Sequence, residues 1–100
     1  MTPKEIAFAA VKALDSKKGQ DIKVLETASL TTLADYFVLC SATSTTQIKA
    51  LADVCEQMLK EAGEPPHHVE GHRGGTWILL DFSSVVVHIF NEEARKFYDL

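Results

Sequence analysis

Apolar residues recur first at helical spacing along the chain and then at strand spacing. Ile6, Ala10, Ala13 and Leu14 form the stripe that lines one face of an α-helix. Thr2, Pro3 and Glu5 stand before it as N-cap, first helical residue and capping-box acid. Lys17-Lys18-Gly19 follows, with cations for the negative helix end and a terminating glycine. This pattern predicts a helix that ends near Lys17. From Asp21 to Glu26 the period changes to alternation, with Ile22, Val24 and Glu26 on one side and Lys23 and Leu25 on the other, which predicts a strand. The mostly polar stretch from Thr27 to Thr32 interrupts it.

Tyr36-Phe37-Val38-Leu39-Cys40 is a continuous apolar run of strand length, suited to the middle of a sheet. Ser41-Ala42-Thr43-Ser44 then offers N-cap hydroxyls, and Ile48, Leu51, Ala52, Cys55, Leu59 and Ala62 repeat at helical spacing until Gly63. Pro65-Pro66 forbids continuation. A short extended piece from His67 to Glu70 and a flexible Gly71 to Gly75 loop come next. Strand, helix and strand in succession imply a right-handed crossover if the two strands are parallel.

Trp77 to Phe90 reads as a β-hairpin turning near Phe82, Ser83 and Ser84, and Asn91 caps a closing helix from Glu92 onward. Side chains alternate across a strand, so Ile78, Leu80 and Phe82 share one face and Trp77, Leu79 and Asp81 the other. With an even turn, Val85, Val87 and Ile89 join the first face and Val86, His88 and Phe90 the second. The first face is wholly apolar and belongs against the helices. The second mixes aromatic, aliphatic and titratable groups, as the centre of a protein interface does, with Trp77 as its natural anchor. The alternative is a second helical layer over this face, with Asp81 and His88 bonded to each other or to backbone.

Composition narrows the function. The chain has 100 residues, 46% hydrophobic and 24% charged, which suits a single α/β domain over residues 1–100 with a mixed sheet of about five strands and flanking helices. A core this small invites self-association. The N-terminus lacks the basic start and apolar stretch of a signal peptide, and no run approaches the roughly 20 apolar residues of a membrane span. The expected location is the cytoplasm. Net charge is -4 and no basic cluster marks a phosphate-binding face, so nucleic acid is a poor primary partner and a basic protein a better one. Cys40 and Cys55 lie in apolar patterns and read as reduced core thiols.

Other chemistry is weakly supported. His67, His68, Glu70 and His72 are close in sequence, but adjacent histidines in a strand point to opposite faces and no helical two-histidine arrangement is present. No metal is expected. Asp35, Glu70 and Asp81 fall on three separate segments, and Ser44 lacks the glycine pattern of a nucleophile elbow. Gly71-His72-Arg73-Gly74-Gly75 precedes a strand rather than a helix, so it reads as a hairpin turn and not a phosphate loop.

A set of segments spans nearly the whole chain: Gly19-Gln20-Asp21-Ile22, Ala34-Asp35-Tyr36-Phe37-Val38, Ser44-Thr45-Thr46-Gln47 and Glu70-Gly71. It continues with Trp77-Ile78-Leu79-Leu80-Asp81-Phe82, Val86-Val87-His88-Ile89-Phe90 and Arg95-Lys96-Phe97-Tyr98-Asp99-Leu100. In order and spacing these resemble the RsfS (Iojap) family of ribosomal silencing factors. The resemblance implies a cytosolic stress-response factor that docks on the large ribosomal subunit through large-subunit ribosomal protein 14. The small subunit then cannot join, and translation is repressed when nutrients are scarce. It implies steric action with no cofactor and no catalysis. It also implies a nucleotidyltransferase-like fold, although this chain lacks the Gly-Ser helix entry and paired aspartates of those enzymes. Glu70, Trp77, Asp81, His88, Arg95 and Tyr98 are the partner-binding residues carried over from the family's surface. Family members often continue past the equivalent of Leu100 with another apolar and aromatic turn, so the C-terminal tail is expected to be truncated or not included here. Two alternatives stay open: a Mg2+-dependent nucleotidyltransferase-like enzyme, and a homodimeric interaction module built on the Trp77 face.

Overall fold

The structure, a computed structural model, describes residues 1–27 and 34–98, with side chains as far as Phe97. Most of the polar stretch after Glu26, and the segment beyond Tyr98, lie outside the described residues. Helix α1 (Pro3–Ser16) begins at the predicted capping box: Thr2 Oγ1 accepts from the Glu5 amide at 3.2 Å, and the Glu5 carboxylate accepts from the Thr2 amide at 2.8 Å. Those bonds to Thr2, the backbone amide first, hold the Glu5 carboxyl below its ordinary range. Helix α2 (Thr45–Glu61) is capped by Ser44, whose Oγ accepts from the Gln47 amide at 3.1 Å. It ends at Ala62, with Gly63 in the left-handed region at φ 88° and the Glu64 amide bonded back to the Leu59 carbonyl. Ala62 itself is exposed, one residue outside the stripe predicted for it.

Among the described residues, five strands form one sheet in the order β1-β2-β5-β4-β3. They are β1 (Gln20–Glu26), β2 (Tyr36–Ser41), β3 (His68–Glu70), β4 (Trp77–Asp81) and β5 (Val85–Phe90). The β2–β5 pair is parallel and the others antiparallel, so the sheet is mixed as expected. β2 is interior, flanked by β1 and β5, in keeping with its unbroken apolar run. The connection through α2 does not place β3 beside β2. It carries the chain past β5 and β4 to the far edge, and the parallel neighbour of β2 is instead β5.

The core lies between one sheet face and the pair α1 and α2. Ile6, Ala7, Ala10, Ala13 and Leu14 from α1 and Ile48, Leu51, Ala52, Cys55 and Leu59 from α2 bury against Val38, Cys40, Ile78, Leu80, Val87 and Ile89. Fully burying each Leu, Ile or Val here contributes about 1.5–3 kcal/mol. Helix α3 (Glu92–Tyr98) starts at Asn91, whose Oδ1 accepts from the Ala94 amide at 2.8 Å, the predicted N-cap.

β1 is irregular at its start. The register shifts between Gln20 and Lys23, and Asp21 has φ 47°. Ile22 still packs on the core, while Val24 and Leu25 are both exposed on this edge strand. The bulge precedes Lys23, and from Lys23 to Glu26 the pairing is regular, so Val24 lies on the face of Val38 and Leu25 on that of Phe37, as the alternation predicts.

Candidate functional site

The hairpin turn is even. Ser83 and Ser84 form a two-residue loop, closed by the Phe82 amide on the Val85 carbonyl at 2.8 Å. Ser83 has φ 74°, the positive value that primed hairpin turns require, usually from glycine or asparagine. Asp81 Oδ1 accepts from the Ser83 amide at 2.7 Å and so supports that unusual serine. Trp77 therefore faces Phe90, Leu79 faces His88 and Asp81 faces Val86, as the even-turn pattern predicts.

Both core helices lie on the opposite face, which leaves α3 as the helix that reaches this one, at the Ser41–Phe90 end. The alternative of a helix over this face is met in part: α3 covers the Ser41–Phe90 end, and Asp81 is bonded to backbone. Neighbouring strands extend the surface: Phe37 and Leu39 of β2 pair with Val86 and His88, and Glu70 of β3 pairs with Leu79. Trp77, Leu79, Asp81, Val86 and Phe37 are all partly exposed.

An aromatic cluster occupies its centre. The His88 and Phe37 rings meet edge-to-face at 5.2 Å, and His88 stacks near Phe90 at 6.3 Å and tilts against Trp77 at 5.9 Å, while Trp77 and Phe90 lie 5.3 Å apart. Trp77 Nε1 donates to His88 Nδ1 at 3.1 Å. An indole nitrogen can only donate, so Nδ1 is the acceptor and the neutral ring carries its proton on Nε2. His88 is 5% exposed, and burial pushes its pKa down to about 4. It is neutral at physiological pH. Asp81 thus bonds to the Ser83 backbone and His88 to Trp77.

The remaining expected residues divide. Glu70 is exposed on the same face, and its carboxylate lies 2.8 Å from His68 Nε2. Arg95 is committed within the chain: Nη1 donates to Ser41 Oγ at 2.7 Å, Nη2 donates to the Asp21 carbonyl at 3.0 Å, and the guanidinium lies over Phe90 at 5.4 Å. It joins α3 to β1 and β2. The side chain of Tyr98 lies outside the described residues. The structure thus brings Glu70, Trp77, Asp81, His88 and Arg95 to one face. Residue reading missed Phe37 and Leu39, because their membership depends on the long-range β2–β5 register.

The other chemical candidates take structural positions. Burial pushes the thiol of Cys40 up to about 11 and that of Cys55 to about 12, so both stay protonated. The Gly71 to Gly75 segment connects β3 to β4, and His72 Nε2 lies 2.9 Å from Asp53 Oδ1 of α2. A Cβ on Gly71 would fall 2.1 Å from the Trp77 carbonyl oxygen, so glycine there lets the loop close on the start of β4. Among the described residues, no three His, Cys, Asp or Glu side chains gather as metal ligands, and no helix is long and apolar enough to cross a membrane.

The chain as a whole resembles known proteins. A "Ribosomal silencing factor RsfS" of Chromobacterium violaceum is 40% identical over 100 residues, covering 100% of this chain and 82% of that protein. A crystal structure of a protein from the same organism, also 40% identical, superimposes with a TM-score of 0.96 over 99% of this chain and 82% of the other. The mouse "Mitochondrial assembly of ribosomal large subunit protein 1" is 32% identical over 93 residues, 90% of this chain and 41% of that one. The family profile described as "Ribosomal silencing factor during starvation" matches residues 1–100 without a break. With the whole domain matched and the mixed sheet shared, the chain belongs to the RsfS family of ribosomal silencing factors.

Proposed function

We propose that this protein docks on the large ribosomal subunit through large-subunit ribosomal protein 14 and sterically prevents the small subunit from joining. The observation that carries the reading is the sheet face opposite the core helices, with an aromatic centre around Trp77 and acidic groups at its margin. Aromatic anchors in well-packed surroundings supply most of the energy in protein interfaces. Glu70 and Asp81, on a chain of net charge -4, suit a basic ribosomal protein and steer encounter. The family description and the mouse relative's printed name both point to ribosomes, the latter to the large subunit. Action by occupancy requires no bond to be made or broken, and the cytoplasm is where a bacterial factor of this kind would meet ribosomes.

Sedimentation with isolated large subunits tests it. The wild-type protein is expected to co-sediment, and Trp77→Ala, once shown to be folded, to lose at least about tenfold in affinity, the loss typical of a hot-spot aromatic. A wild-type protein that stays in the supernatant would overturn the reading. Nucleotide titration with Mg2+ would then be the next measurement.

A further inference from the structure

We propose that His88 is a positioning residue: it sets the orientation of the Trp77 indole in advance and thereby preorganises the docking face, without itself supplying the contact surface. This rests on the docking reading above and assigns work within it. At 5% exposure His88 has little surface to offer a partner, whereas Trp77 is only half-buried. The two lie diagonally across the β4–β5 pair, because Leu79 is the residue opposite His88.

An indole on a sheet surface can rotate about its side-chain torsions, and each orientation sends Nε1 in a different direction. The 3.1 Å bond to His88 Nδ1 selects one of them. His88 is itself held by two further rings, Phe37 edge-to-face at an interplanar angle of 61° and Phe90 stacked at 25°. The backbone of Trp77 is fixed separately, since the glycine at position 71 lets the preceding loop close against its carbonyl. Main chain and ring are thus restrained by different contacts. Ordering a rotamer-rich side chain during binding costs affinity, and a side chain ordered beforehand avoids that cost. Of the histidine's protonation states only the neutral ring with a bare Nδ1 can serve here, because a doubly protonated ring would present a donor to a donor.

The test separates the acceptor from the ring. His88→Phe keeps an aromatic ring among Phe37, Phe90 and Trp77 and removes the acceptor, whereas His88→Asn returns an acceptor oxygen near Nδ1 and removes the ring. Trp77 is the only tryptophan, so one indole N–H resonance reports the bond in the free protein. The wild type is expected to show a scalar coupling between Trp77 Nε1 and His88 Nδ1. The indole signal is expected to move upfield in His88→Phe, with large-subunit affinity down about tenfold, and to be recovered in part by His88→Asn. Full affinity in folded His88→Phe would overturn the proposal, as would an absent coupling in the wild type, which needs no variant to fold. If the wild type fails to bind large subunits, the docking reading falls. The coupling still decides whether His88 holds Trp77.

Discussion

Gly19 and Gly63 follow the two core helices for different physical reasons. Gly63 sits at φ 88° in open space, so Gly63→Ala meets only backbone strain, about 1 kcal/mol. Gly19 is not the left-handed residue after α1. Lys18 is, at φ 61°, and the glycine is needed because a Cβ would lie 2.5 Å from Cys40 Sγ and 3.1 Å from the Leu14 carbonyl oxygen. Gly19→Ala is therefore expected to cost about 1–3 kcal/mol, more than Gly63→Ala, in urea unfolding monitored at Trp77. A helix-terminating glycine was legible at both positions, but the reason for Gly19 was not, since it depends on how closely α1 approaches β2. Ser83 carries the same lesson. A primed turn is usually read from Gly or Asn, and here an aspartate two residues earlier supports a serine in that conformation.

At the scale of elements, α3 shows how a short segment is held. Short helices are marginal in water, so the described turns of α3 are helped by their attachments. Arg95 supplies two charge-assisted bonds and a ring contact, one bond to a carbonyl that the β1 bulge displaces from regular pairing. Arg95→Ala is expected to speed amide exchange in α3 by about tenfold or more while leaving α1 and α2 unchanged in hydrogen-exchange measurements. Equal acceleration in all three helices would show that Arg95 supports the global fold instead. A capping box, N-caps, apolar stripes and runs, and the even hairpin made all eight described elements legible in the residues. Strand order was not. The pairing of Tyr36 with Val85 joins segments separated by a whole helix and two strands, and neither carries a local mark of its partner. Hence Trp77 and His88 could be assigned to one face, while Phe37 and Leu39 could not be added to it.

For the whole molecule, His88 couples stability to pH. An unfolded chain protonates this imidazole near the ordinary 6.5, but burial lowers it to about 4 in the native state. Between those values the unfolded state binds more protons, so the contribution is complete above 6.5 and is lost as pH falls toward 4. It amounts to about 3 kcal/mol at most. The urea midpoint of the wild type is expected to drop between pH 7 and 4.5 more steeply than that of His88→Phe, and parallel curves would refute this origin.

The parallel β2–β5 pair also has a consequence in time. Strands joined across so much chain must close a long loop before any contact rewards them, so this step comes late in folding. On a growing polypeptide, Phe37 and Trp77 emerge before Val85 to Phe90, the strand that sits between theirs and carries the imidazole linking them. A nascent chain that stops short of β5 presents the anchor without its support. The surface proposed to meet a ribosome is then completed only once β5 has been made and inserted between β2 and β4.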